Sequence, residues 1–164
     1  MKYNFEHVNK ISKTDFLNIK EEDIVFITNP GRMGDEDGST FIVQNSNCYT
    51  VYRIDGWYMG DRTQPDFISF NDMIEHFPNW DKQIGNEDDI NSYKYIYMGF
   101  GNGLCVRSDI CDEYQIYLDK EIENFAEEHN LNDDEKKHQQ YGIIFNVWDR
   151  AVIEMTKNKN IIIK

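Results

Sequence analysis

The chain has 164 residues, of which 40% are hydrophobic and 14% aromatic, and this composition indicates one folded domain, residues 1–164, rather than a disordered chain. The formal net charge of -13 argues against nucleic acid as a direct partner, because phosphate binding requires a Lys/Arg surface, and it disfavours an anionic membrane. No apolar run marks a signal peptide or reaches the roughly 20 residues of a membrane span. The three cysteines lack a CxxC motif, so we expect a cytoplasmic protein with free thiols.

The first half of the chain predicts a short helix followed by three strands. Residues 12–20 (SKTDFLNIK) fit the helix, with Thr14 as its candidate cap. A compact β-type run, DIVFIT, covers residues 23–28, and a loop rich in turn-forming residues follows it. Residues 40–45 and 49–55 then indicate a β-hairpin.

The middle of the chain predicts another helix and a second hairpin. Ser69 is a candidate N-cap for a short helix that Pro78 would end. Residues 93–100 (YKYIYMGF) alternate aromatic and aliphatic side chains as a strand does. Residues 101–103 (GNG) form a turn, and residues 104–108 return as the partner strand.

The last third of the chain predicts two long helices. The first places five side chains on one face: Tyr114, Leu118, Ile122, Phe125 and His129. The second is predicted to run from a cap at Asn132 to about Lys157, with a bend or break at Gly142. Its predicted buried stripe consists of Ile144, Val147, Trp148, Ala151 and Met155. Residues 161–163 follow as an edge strand or a docked tail. We therefore predict an α+β fold in which an antiparallel sheet of about five strands packs with helices.

Catalytic motifs are scarce in this sequence. It lacks GxxxxGK[ST], GxGxxG, HExxH and GxSxG. The glycines of residues 99–103 fit a hairpin turn, and the acidic runs at 35–38 (DEDG) and 87–89 (EDD) fit solvated turns better than a calcium loop. The histidines, His7, His76, His129 and His138, are scattered, and none lies beside Cys105 or Cys111 to activate a thiol. We predict a non-enzymatic protein with no metal and no other cofactor.

Negative charge is concentrated in one segment. From Asp109 to Glu135 the chain holds eleven acids and one base, Lys120, for a net charge of -10. Rotating 100° per residue from Leu118, the centre of the predicted buried face, places most of the helical acids on the opposite face together with Ile116. Like charges four residues apart destabilise a helix by a few tenths of a kcal/mol. A basic partner bound to this face would remove that repulsion.

We predict that this acidic face binds a protein partner. An exposed apolar residue ringed by acids resembles the centre and rim of an interface. The predicted partner-binding residues are Asp112, Glu113, Ile116, Asp119, Glu123 and Glu127, with Lys120 orienting the partner. Two plainer interpretations are that the acids serve solubility alone, and that the sheet or the last helix covers Ile116.

Three stretches resemble bacterial toxin immunity proteins, in particular those of contact-dependent growth inhibition systems: DGWYMGD (55–61), SFNDMIEHFPNWD (69–81) and YIYMGFGNGLCVRSDICDEY (95–114). The resemblance is one of overall character, and it transfers no individual residue. It implies a protein that binds and neutralises the C-terminal toxin domain of a cognate contact-delivered effector, often a nuclease, in the cytoplasm of the producing cell. Alternative functions are a binding or regulatory module of the SMI1/KNR4 kind, a small metal-dependent hydrolase and a DNA mimic.

Overall fold

The computed structural model describes residues 5, 10–28, 39–54, 66–68, 70–77, 92–99 and 102–163. Within these residues six strands form one sheet: β1 (Ile24–Thr28), β2 (Ser39–Asn45), β3 (Cys48–Ile54), β4 (Tyr93–Gly99), β5 (Asn102–Arg107) and β6 (Asn160–Ile163). The strand order is β4-β5-β1-β2-β3-β6, and all neighbours are antiparallel except β3 and β6, which are parallel. The predicted α+β class is confirmed, with one strand more than predicted. Residues 161–163 belong to an edge strand, and its parallel pairing was not predicted.

Both predicted hairpins are present. In the first, Asn45 pairs with Cys48, so two residues connect β2 and β3, and the first of them, Ser46, has a positive φ of 34°. In the second, β5 begins at Asn102, two residues earlier than predicted. The ring of Tyr95 packs directly over Gly103, where a Cβ would have no room.

Strand β1 lies at the centre of the sheet and is buried along its whole length. Ile24 pairs with Val43 and Phe26 with Ile42, so β1 carries one extra residue at this point, a β-bulge. The bulge places Val25 and Phe26 in the same core, while Ile24 and Ile27 belong to the core on the other face. A strand buried on both faces explains why DIVFIT is apolar without alternation.

Two short helices belong to the core on one face of the sheet, α1 (Lys13–Leu17) and α2 (Phe70–His76). They contribute Phe16 and Met73 to that core. The predicted cap of α1 is wrong, because Ser12 and not Thr14 accepts the hydrogen bond, from the Asp15 amide at 3.1 Å. Helix α2 is confirmed, but its predicted cap, Ser69, and the predicted stop, Pro78, lie outside the described residues.

The core on the other face includes α3 (Ser108–Glu128) and α5 (Gln140–Met155), with α4 (Asp133–His138) between them in the chain. The predicted single helix from Asn132 is thus two helices that meet at Gln139, and Gly142 lies inside α5 rather than at the break. The predicted cap Asn132 is confirmed.

The buried stripe of α5 is wider than predicted. Val147 and Ala151 are buried as expected, but Ile143 and Val152 are buried too, while Ile144, Trp148 and Met155 are only half-buried. Helix α5 contacts both α3 and β4, so more than one direction around its axis faces the protein interior.

Candidate partner-binding surface

Helix α3 is held by a row of side chains that face the core. Tyr114 and Leu118 are buried as predicted, and Cys111 and Ala126 are buried beside them. The Tyr114 ring lies 4.9 Å from that of Phe26, and its hydroxyl donates to the Trp148 carbonyl at 2.9 Å. Of the other residues predicted for this face, Ile122 and Phe125 are half-buried, and His129 is exposed just past the end of the helix. This packing fixes which face of α3 points outward.

All six predicted partner-binding residues lie on the outward side of α3. The five acids are exposed: Asp112, Glu113, Asp119, Glu123 and Glu127. Ile116 is 70% exposed, so neither the sheet nor the last helix covers it. The sequence therefore predicted the exposure of these six side chains correctly.

Cations from four other elements lie close to acids of α3. The Arg107 guanidinium, at the end of β5, donates to both carboxylate oxygens of Asp109, at 2.6 and 3.0 Å. The Lys136 amine, from α4, donates to both carboxylate oxygens of Glu123, at 2.8 and 3.1 Å, and this bond raises the pKa of Lys136. Lys94 of β4 lies 3.9 Å from the Asp112 carboxylate. Arg150 of α5 lies 3.4 Å from Glu128. Lys120 is therefore not the only base near the acids of α3. Arg107 lies two residues before Asp109, and the other three cations are distant in sequence from the acids that they approach.

Three of the predicted acids form no ion pair within the described part of the chain. Glu113 and Glu127 form no ion pair with any described side chain, and Asp119 accepts a hydrogen bond from the neutral amide of Gln115 at 2.7 Å. Glu113 and Asp119 lie three residues before and after Ile116, which places each about 5–6 Å away on the helix surface. Two of these three acids therefore flank the exposed apolar residue, and Glu127 lies about three turns further along α3.

Glu121 departs from the pattern of outward-facing acids. It is only 8% exposed, and its carboxylate accepts a hydrogen bond from the Asn124 amide at 3.3 Å. It lies at the flank of the buried face, so it contributes to the charge of the segment but not to the outward surface. Charge counting alone could not separate it from the exposed acids.

Two of the three described histidines make ring contacts, and the third, His138, is exposed at the end of α4. His76 packs against Phe16 and Phe77, with ring centroids at 5.0 and 4.6 Å, and His129 stacks on Phe125 at 3.9 Å. His7 lies outside the described residues, as do the acidic runs at 35–38 and 87–89. In the described part of the chain, no three His, Cys, Asp or Glu side chains are grouped so as to hold a metal ion.

None of the three cysteines forms a disulfide. Cys105 and Cys111 are buried and Cys48 is half-buried. Burial raises the pKa of Cys105 to about 12, which leaves almost no thiolate at neutral pH. Cys105 is therefore a packing residue rather than a nucleophile.

Sequence reasoning missed a second group of exposed apolar side chains. Tyr141 and Phe145 are exposed on α5, one turn apart, and the Tyr141 ring lies 4.9 Å from that of Tyr97 on β4. Tyr141 and Phe145 are four residues apart and lie on the helix face opposite Ile143 and Val147. This spacing could have predicted an exposed apolar pair.

None of the described helices combines the length and the apolar character needed to cross a membrane. Comparison of the chain with models of known protein families, with curated proteins and with solved structures finds no match in any of the three.

Proposed function

We propose that this chain is a non-enzymatic immunity protein that neutralises a basic toxin domain, of the nuclease type, belonging to a contact-dependent growth inhibition system. The toxin would bind the outward face of α3. The observation that carries the proposal is Ile116, which is 70% exposed in the middle of an acidic helix face. The resemblance of the sequence to immunity proteins supplies the class of partner.

The chemistry of the surface suits a partner with clustered Lys and Arg side chains. A nuclease must present such cations to its phosphate substrate. Glu113, Asp119 and Glu127 would meet them without first breaking an ion pair to any side chain that the structure describes. Covering the cations of the toxin would remove its substrate-binding surface, so inhibition requires no catalytic group in the inhibitor.

The apolar and acidic residues would contribute in different ways. Complete burial of an isoleucine side chain stabilises a complex by roughly 1.5–3 kcal/mol, so Ile116 would slow dissociation. Exposed charges at the rim mainly steer the encounter and raise the association rate. The two contributions are separable by kinetics.

The proposal is tested first with the protein domain encoded directly upstream of this gene. We expect that domain to co-purify with this chain and to lose its toxic activity in the complex. A domain that neither binds nor is inhibited would exclude the immunity function.

The surface is tested by reversing charge at the uncompensated positions, Glu113→Lys with Glu127→Lys. We expect the association rate in stopped-flow binding to fall by about tenfold or more at low salt. The matched control is Glu22→Lys with Glu75→Lys, which makes the same charge change at two exposed acids outside α3. Equal association rates for the two double variants would show that the toxin does not bind α3. That result would not argue against the inhibitory role itself.

A further inference from the structure

Among the described strands, β6 lies at one edge of the sheet. It pairs with β3 alone among the described strands, with Cys48 opposite Asn160 and Val51 opposite Ile163. Ile162 is 40% exposed and Ile163 is 37% exposed. An unpaired strand edge presents a row of backbone donors and acceptors that readily pair with another extended chain.

The two edges of the sheet differ in how they are protected. Charged side chains and β-bulges are common means of blocking pairing at an edge strand. The other edge strand, β4, has both, since it carries Lys94 and its register shifts between Tyr97 and Gly99. β6 has neither, because its sequence is NIII and its register against β3 is regular.

The residues around β6 are basic in an otherwise acidic protein. Residues 156–164 (TKNKNIIIK) contain three lysines and no acid. The Lys159 amine, one residue before β6, lies 3.3 Å from the Tyr49 hydroxyl and 5.1 Å from the centroid of that ring. Lys157 is exposed and lies 3.4 Å from Glu154. The edge strand therefore begins beside two cations.

We propose that β6 binds an extended acidic peptide segment, which pairs with it as a seventh strand. Backbone hydrogen bonds would supply affinity, apolar side chains of the segment would cover Ile162 and Ile163, and its carboxylates would meet Lys157 and Lys159. A second copy of this chain fits poorly, because residues 156–164 contain no acid and so cannot supply carboxylates to Lys157 and Lys159.

This surface is independent of the acidic face of α3. It carries the opposite charge, lies on a different element and selects an acidic rather than a basic partner. Failure of either proposal therefore leaves the other untouched.

The test uses a synthetic peptide of alternating valine and threonine with glutamates at both ends, added to the full chain. We expect hydrogen exchange at the amides of Asn160–Ile163 to slow when the peptide binds. The double variant Lys157→Glu with Lys159→Glu should weaken binding by about tenfold at low salt. Lys20→Glu with Lys137→Glu, at two exposed lysines elsewhere, is the matched control and should bind as the unmodified chain does.

A second variant tests the edge of β6 itself. Ile162→Lys places a charge within β6 and should abolish binding, whereas Leu17→Lys, at another exposed apolar position, should not. The proposal is overturned if the peptide does not bind or if protection appears away from β6. It is also overturned if a lysine-flanked peptide binds equally well, or if β6 becomes protected without peptide as protein concentration rises, which would indicate self-association.

Discussion

Tyr114 anchors α3 through both its ring and its hydroxyl. The side chain is fully buried, its ring packs against Phe26, and its hydroxyl donates to the Trp148 carbonyl of α5 at 2.9 Å. One residue thus joins α3 to β1 and to α5. The direction in which Ile116 and its flanking acids point depends on this contact, because rotation of α3 would turn them toward the protein.

We predict that Tyr114→Phe lowers the free energy of unfolding by about 1 kcal/mol, the usual contribution of a buried hydrogen bond. The ring is kept, so no cavity forms. Urea denaturation measures the loss as a lower midpoint with an unchanged slope. Tyr141→Phe is the matched control, because the Tyr141 hydroxyl is exposed and no hydrogen bond joins it to a described residue. An equal loss in both variants would show that the hydroxyl of Tyr114 contributes nothing specific.

At the scale of the element, α4 is too short to be stable by itself and depends on its cap. The Asn132 side chain accepts from the Glu135 amide, and the Glu135 carboxylate accepts from the Asn132 amide, each at 2.9 Å. This reciprocal capping box fixes the first turn. That turn positions Lys136, which bonds to Glu123 on α3.

We predict that Asn132→Ala destabilises the protein by about 1 kcal/mol and frees Glu123 from Lys136. Hydrogen exchange at the amides of α4 should accelerate while that of the sheet changes little. Asn132→Asp keeps an acceptor at the cap, and we expect it to restore slow exchange. If the alanine variant exchanges like the unmodified chain, tertiary contacts rather than the cap hold α4.

The elements that the sequence predicted well are those set by neighbouring residues. A two-residue turn joins β2 and β3, Asn132 caps the helix that follows it, and the 3.6-residue spacing of Tyr114 and Leu118 marks the buried face of α3. The sequence did not distinguish Ser12 from Thr14 as the cap of α1. Serine and threonine both serve as N-caps, and these two residues lie only two positions apart.

At the scale of the whole molecule, features set by distant residues were not predicted. β6 pairs with β3, more than a hundred residues earlier in the chain, and nothing in the run of isoleucines specifies a parallel partner. The cations that approach the acids of α3 come from β4, β5, α4 and α5, and only Arg107 of β5 lies near its acid in sequence. The sequence therefore predicted which side chains of the candidate surface are exposed, but not which of them are already paired.

The charge of the whole molecule makes a last prediction about salt. With a net charge of -13, repulsion between acids should outweigh the exposed ion pairs, each of which contributes only about 0–1 kcal/mol. Raising the salt concentration screens both, since the Debye length falls from about 10 Å at 0.1 M to about 3 Å at 1 M. We therefore expect the free energy of unfolding to rise as sodium chloride is added.

The same repulsion can be removed by substitution. Glu113 has Asp109 four residues before it, and Glu127 has Glu123 four residues before it. Arg107 and Lys136 partly offset Asp109 and Glu123, so Glu113→Gln with Glu127→Gln should raise the free energy of unfolding by at most a few tenths of a kcal/mol per pair and reduce its dependence on salt. Glu22→Gln with Glu75→Gln, outside α3, is the matched control for the loss of two charges. Urea unfolding at several salt concentrations compares the variants. A decrease in the free energy of unfolding on adding salt would show that the ion pairs outweigh the repulsion between acids. A basic partner would then have no repulsion within α3 to remove.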